Sequence, residues 1–160
     1  MINVMDNIRV NIMVAKDFNP EENSLLNIVE KVVRQERISF CIYMTIRFLE
    51  KMKDGEFVLR FDLIKLPEDD SEKTRGFLFA IYKVGNEDEE TSLKNVQKNK
   101  VYVQGRWDKV ITVKKFSDLP LDGPGKYAVL VSWAEQGLDE MPKKAIDRKK
   151  VLDSWQFEVV

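Results

Sequence analysis

The sequence predicts a mainly β protein, a two-sheet antiparallel β-sandwich of seven or eight strands with at most one or two short helices. Three observations favour this fold. Apolar and polar residues alternate along several segments, as they do in half-buried strands. Turn-forming pairs such as Asn19-Pro20 and Gly85-Asn86 separate those segments. The length of 160 residues, 44% of them hydrophobic, suits one core. We therefore expect one domain over residues 1–160.

The strands follow in chain order from the alternation. The first carries Ile8, Val10, Ile12 and Val14 on one face, and the longest carries Ile38, Phe40, Ile42, Met44, Ile46 and Phe48. The next places Phe57, Leu59, Phe61 and Leu63 inward, with Arg60 and Asp62 facing away. After Leu63 the apolar parity shifts to Ile64 and Leu66, which predicts a bulge. Later strands are expected at 77–84, 101–113, 127–133 and 155–160, with Trp107, Trp133 and Trp155 packed in the core.

Residues 24–35 fit two structures. Leu25, Ile28, Val29, Val32 and Val33 recur at helical spacing, and Ser24 could cap a helix. The β-branched clusters and a natural hairpin onto residues 8–16 favour a strand instead. We expect a strand. The stretches near 87–100 and 134–153 are polar and lack periodicity, so they are interpreted as long surface loops, the second with room for a helical turn.

Composition excludes several kinds of chemistry. The chain has no histidine and one cysteine, Cys41. Ser-His-Asp and Cys-His catalysis, His-ligated metals, Cys₄ zinc sites and intrachain disulfides are therefore ruled out. We expect no cofactor and no catalytic residue. The N-terminal residues do not resemble a signal peptide, and the longest apolar run, Phe77 to Tyr82, is too short to span a membrane. A cytoplasmic protein without membrane contact is expected.

One segment carries a family resemblance. Residues 116–127 end in Gly123-Pro124-Gly125-Lys126-Tyr127 and lead into an alternating strand, and the chain closes on an amphipathic strand at 153–160. This order resembles a family of bacterial β-sandwich proteins known only as a domain of unknown function, with an immunoglobulin-like or C2-like arrangement. The resemblance implies that Tyr127 bonds back to the backbone of the preceding turn. It implies no catalytic residue.

Clustered carboxylates are the best route to metal chemistry. One loop carries Asp69 and Asp70 and another carries Glu87 and Asp88, each among further acidic residues. Ca²⁺ takes six to eight oxygen ligands from such loops. Neither run has the spacing of an EF-hand or a glycine for a tight turn, so a solvated acidic loop is the favoured interpretation.

Basic residues also cluster in two groups. The candidate patch consists of Lys114, Lys115, Lys143, Lys144, Arg148, Lys149 and Lys150. If these side chains shared one face, they could contact phosphates or nucleic acid. The isoelectric point near 5.7 argues against a dedicated nucleic-acid binder. Lysines that keep an edge strand from pairing with another chain would explain the same residues.

The sequence thus predicts a non-catalytic intracellular binding or interaction module. A protein partner, or a second copy joined through an edge strand, is expected. Two alternatives stay open. One is nucleic-acid or phosphate binding through the Lys/Arg-rich face. The other is a divalent-metal-binding protein or enzyme, in which two or more of Asp62, Asp69, Asp70, Glu87 and Asp88 would converge.

Overall fold

A computed structural model describes residues 8–22, 24–48, 57–69, 74–84, 97–101, 109–135 and 146–160. These residues form ten strands and a single 3-10 turn at Arg148–Lys150. The strands are β1 Ile8–Asn19, β2 Ser24–Ile28, β3 Lys31–Val32, β4 Arg37–Phe48, β5 Phe57–Lys65, β6 Arg75–Val84, β7 Gln97–Val101, β8 Lys109–Pro120, β9 Gly125–Glu135 and β10 Val151–Val159. The expected mainly β fold with two sheets is confirmed.

The strands divide into two sheets. One has four strands in the order β2-β1-β4-β8, and the other has six in the order β3-β10-β9-β5-β6-β7. All pairs are antiparallel except β10 with β3 and β6 with β7, which lie at the two ends of the larger sheet. The strand count exceeds the expected seven or eight because β3 and β7 are short and carry no clear alternation.

Aromatic side chains from both sheets meet in the core. Phe40 and Phe116 come from the four-stranded sheet, and Phe61, Phe79 and Tyr82 from the six-stranded one. Ring centroids of Phe79 and Phe116 lie 5.0 Å apart, and those of Phe61 and Tyr82 lie 4.7 Å apart. All five side chains are at most 3% exposed. Aromatic contacts of this kind add to the free energy gained from apolar burial, so they hold the two layers together.

The segment at 24–35 is extended, as expected. Ser24–Ile28 pairs with the end of β1, and Lys31–Val32 then joins the other sheet beside β10. Between them Val29 is 5% exposed and packs in the core, and its N–H donates to the Val14 carbonyl at 2.9 Å. The helical spacing of the apolar residues arises because this short segment crosses from one sheet to the other.

The expected bulge near Leu63 is wrong in position and in strand. The register of β5 against β9 is regular from Phe57 to Lys65. The shift occurs between Phe61 and Asp62 on the other side of β5, where β6 carries the extra residue at Phe79. Apolar parity changes at Ile64 because β5 is buried on both faces, as the next subsection describes.

Several expected boundaries also need correction. The strand expected at 101–113 corresponds to β7, which ends at Val101, and β8, which begins at Lys109. Residues 102–108, with Trp107, lie outside the described residues. Of the two expected loops, residues 97–100 belong to β7, and the second is shortened by β9, the 3-10 turn and β10. Residues 85–96 and 136–145 also lie outside the described part.

The turn before β9 has the expected tyrosine contact. The hydroxyl of Tyr127 donates to the Gly123 carbonyl at 2.7 Å and accepts from the Asp122 N–H at 2.9 Å. Gly123 has a φ of 71°, a conformation that glycine adopts without strain. Burial raises the pKa of Tyr127, the Asp122 N–H bond lowers it, and the Asp122 charge raises it. This contact fixes the entry into β9.

Of the other tryptophans expected in the core, Trp133 and Trp155 are partly buried and pack against it. Among the described residues there is no helix with the length and apolar character needed to cross a membrane.

Candidate functional site

The outer face of the six-stranded sheet is dry at its centre. Val58, Arg60, Asp62 and Ile64 of β5 point away from the core, yet none is more than 8% exposed. The outer face of an antiparallel sandwich is normally solvated and polar. Burial on both faces therefore marks the middle of β5 as a special part of the surface.

A cavity of about 600 Å³ opens on this face. Its volume lies within the ~300–1,000 Å³ that is usual for small-molecule sites. Mainly apolar side chains surround the two charged residues of β5. The described residues that contribute most to its walls are Phe77 and Leu78 of β6, Leu130 of β9, Val151 of β10, and Ile146 and Arg148 beside the 3-10 turn.

Two opposite charges lie on the cavity floor. The Arg60 Nε donates to Asp62 Oδ2 at 2.8 Å, and the Arg60 Nη2 donates to Asp62 Oδ1 at 2.7 Å. The side chains are 8% and 3% exposed. Residues two apart share one face of a strand, so β5 itself brings the pair together. Taking two charges out of water costs several kcal/mol per ion, and bidentate geometry offsets part of that cost.

Ser132 adds a third polar group beside this pair. It lies opposite Arg60 in the β5–β9 ladder and opposite Val151 in the β9–β10 ladder. The residue is 1% exposed, and its Oγ has no hydrogen-bond partner among the residues that the structure describes. A buried hydroxyl without a partner costs about 1–3 kcal/mol. Polar groups kept at such a cost are more typical of functional sites than of packing surfaces.

The rim of the cavity is basic. Arg148 begins the 3-10 turn, which Asp147 caps by accepting the Lys149 N–H at 3.0 Å. Lys150 holds the turn against β9, because its Nζ lies 4.5 Å from the centroid of the Trp133 ring. Arg148 is exposed and makes no ion pair within the described part of the chain. Its guanidinium is therefore available to a ligand in the cavity.

This arrangement favours binding over chemistry. Both carboxylate oxygens of Asp62 accept hydrogen bonds from Arg60, which leaves this group poorly suited to accept a substrate proton. The remaining walls are apolar. Such a site can bury an apolar body and recognise one polar group at its rim.

The expected acidic site is only partly within the described residues. Asp69 is exposed in the segment after β5, while Asp70, Glu87 and Asp88 lie outside the described ranges. Within those ranges no three His, Cys, Asp or Glu side chains are grouped so that they could hold a metal ion. Asp62, named in the enzyme alternative, is held by Arg60 instead.

The structure divides the described part of the expected basic patch between the two sheets. Lys114 and Lys115 lie on β8 of the four-stranded sheet, whereas Arg148, Lys149 and Lys150 form the turn beside β9 of the six-stranded sheet. Lys143 and Lys144 lie outside the described residues. Only the second group borders the cavity.

The thiol of Cys41 is separate from the cavity. It lies on β4 of the other sheet and is 3% exposed. Burial raises its pKa first, the Asp17 charge raises it further, and Lys115 lowers it. A raised pKa keeps the thiol protonated, which makes it a weak nucleophile.

Sequence reasoning placed Arg60 and Asp62 on the outer face and did not identify them as a site. One feature of the sequence could have indicated it. Two opposite charges stand two residues apart in β5, while Val58 and Ile64 on the same face are apolar. A charged pair flanked by apolar residues on an outward face indicates that this face is covered. The contribution of Leu78, Leu130 and Arg148 depends on strand order, which the sequence does not display.

The chain was also compared with known proteins. Neither a scan against protein-family models nor a search of the curated proteins returns a match to this chain.

Proposed function

We propose that this chain is a non-catalytic binding module and that its ligand site is the cavity on the outer face of the six-stranded sheet. One observation carries the proposal, namely a pocket of about 600 Å³ above an ion pair that is almost fully buried on a face where water is normally found. Apolar walls with few, fixed polar groups are the usual composition of a ligand site.

The paired charges support binding rather than catalysis. Arg60 and Asp62 hold each other in a fixed geometry, which keeps the cavity floor rigid without leaving a reactive carboxylate. A rigid floor lowers the entropy lost when a ligand binds. The resemblance to bacterial β-sandwich proteins of unknown function, and the expectation of a protein partner or of self-association through an edge strand, stay predictions beside this proposal.

The alternatives have less support. A nucleic-acid surface would need the basic residues on one continuous face, and their described members lie on two different sheets. A metal-dependent function would need several carboxylates together, and Asp62 is occupied by Arg60. We therefore propose neither.

The test uses the neutral apolar dye 1-N-phenylnaphthylamine, whose fluorescence rises in apolar surroundings. We expect saturable binding of one dye per chain to the wild type. Leu130→Trp places a large ring in the cavity and should reduce binding at least about tenfold, since a filled pocket no longer buries the dye. Leu26→Trp is the matched control, because Leu26 is 41% exposed on β2 of the other sheet.

Far-ultraviolet circular dichroism checks that all three proteins are folded. Binding by Leu130→Trp equal to that of the wild type would overturn the assignment of the cavity. Absence of saturable binding to the folded wild type would overturn the proposal of an apolar ligand site.

A further inference from the structure

We infer that the ligand of this cavity is a small amphiphile with an apolar body and a single carboxylate, and that Arg148 binds the carboxylate at the cavity rim. This inference rests on the proposed function and adds the chemical class of the ligand. It is carried by the charges around the cavity and by the division between its apolar walls and its basic rim.

The charges that line the cavity do not cancel. Three of its described lining residues are charged, namely Arg60, Asp62 and Arg148. Arg60 and Asp62 neutralise each other on the floor. Arg148 therefore leaves one net positive charge, which a monoanion would match and a cation would not.

The position of this charge sets the orientation of the ligand. Arg148 is exposed at the rim, and next to it Lys149 is also exposed. The walls below carry apolar side chains, among them Leu78, Leu130 and Val151. An anionic group would therefore remain at the rim in contact with water, while the apolar body of the ligand fills the interior. Burying the charged group at the floor would require separating it from water beside an ion pair that is already complete.

The guanidinium favours a carboxylate in particular. Its parallel N–H groups match the two oxygens of a carboxylate in a bidentate contact. A phosphate monoester carries about −1.5 to −2 charges at neutral pH, which exceeds the single positive charge lining this cavity. A monocarboxylate matches both the geometry and the charge.

Three ligands of equal chain length test the inference by displacement of 1-N-phenylnaphthylamine. They are decanoate, 1-decanol and decyltrimethylammonium, each used well below its micelle-forming concentration. We expect decanoate to bind at least about fivefold more tightly than decanol at low salt, and the cation to bind most weakly. Added salt should weaken the binding of decanoate and leave that of decanol unchanged, because salt screens an exposed ion pair.

Arg148→Gln removes the charge that the inference requires. In this variant decanoate should bind no better than decanol. Lys149→Gln is the matched control, because it removes the same charge from the adjacent exposed residue, which does not line the cavity. It should keep most of the preference for decanoate.

The outcomes separate the two proposals. If decanol and decanoate bind the wild type equally, or if Arg148→Gln keeps the preference, the carboxylate inference is wrong and the binding cavity stands. If neither decanol nor decanoate displaces the dye from the wild type, the proposed function itself is contradicted.

Discussion

At the scale of single residues, polar atoms on dry surfaces are the most informative feature of this protein. Arg60 and Asp62 form a bidentate pair at 8% and 3% side-chain exposure, and Ser132 beside them lacks a partner within the described residues. Apolar residues of similar size would avoid the desolvation cost. Their presence on the floor of a cavity is the reason to connect this face with binding.

Tyr82 shows how burial couples one residue to pH. Its side chain is 1% exposed in the core, and burial raises its pKa well above the ordinary value. In the unfolded chain a tyrosine titrates near pH ~10. The folded state therefore holds the proton more tightly than the unfolded state, and this contribution to stability is complete below that pH and is lost as pH rises above it.

We predict that the pH dependence of stability at alkaline pH is reduced in Tyr82→Phe. Between pH 8 and pH 11 the Tyr82 contribution should lower the free energy of unfolding of the wild type by about 1.4 kcal/mol more than that of the variant. Urea unfolding of both proteins across this range measures the difference. Parallel curves for the two proteins would show that Tyr82 ionises equally in both states.

At the scale of elements, the edge strand β8 is the clearest case of protection against unwanted pairing. Within the described part of the chain β8 has a sheet neighbour on one side only, β4. Lys114 lies opposite Ile42, a core residue, so its position belongs to the inner face, and the residue is nevertheless exposed. A charge at the inner face of an edge strand makes pairing with another chain costly.

We predict that Lys114→Val promotes self-association with little change in the stability of the monomer. The variant removes the charge that opposes pairing along β8. Light scattering during prolonged incubation measures the association, and urea unfolding measures the stability.

Lys126→Val serves as the comparison for Lys114. It makes the same substitution at an exposed position of β9, which lies between β10 and β5 inside its sheet. Equal association of the two variants would mean that lost charge alone, rather than the edge position, controls the behaviour.

At the scale of the whole molecule, side chains join the two sheets along the β1 and β10 border. The Ile12 N–H of β1 donates to Asp153 Oδ2 of β10 at 2.8 Å. The Trp155 Nε1–H donates to the Val29 carbonyl at 2.7 Å. Both contacts satisfy backbone groups that the β1–β2 ladder leaves open, since that ladder begins only at Ala15. The sandwich is therefore fastened at this border by hydrogen bonds as well as by core packing.

We predict that Asp153→Ala lowers the free energy of unfolding by about 1–3 kcal/mol, because the Ile12 N–H loses a charged acceptor. Asp153→Asn keeps an acceptor oxygen at the same position and should lose less. Urea unfolding compares both with the wild type. Equal stability of the wild type and Asp153→Ala would show that the contact does not hold the sheets together.

The alternation of side chains determined much of this structure. Ile38 to Phe48 and Phe57 to Leu63 reveal their strands and their core faces in the sequence, because a strand exposes successive residues to opposite sides. The absence of histidine likewise limited the chemistry before any fold was known. The bonds of Tyr127 to the adjacent turn could be expected because they join residues close in the chain.

Only the tertiary structure decided where the candidate site lies. Arg60 and Asp62 are neighbours in sequence, but Leu130, Leu78 and Arg148 reach them through the order β9-β5-β6 and through the turn before β10. Strand order depends on contacts between distant segments, and the alternation of a single strand carries no information about which strand lies beside it. The sequence by itself therefore determined the strands and the kinds of chemistry open to the chain. Long-range strand pairing decided which outer face is concave, dry and basic at its rim.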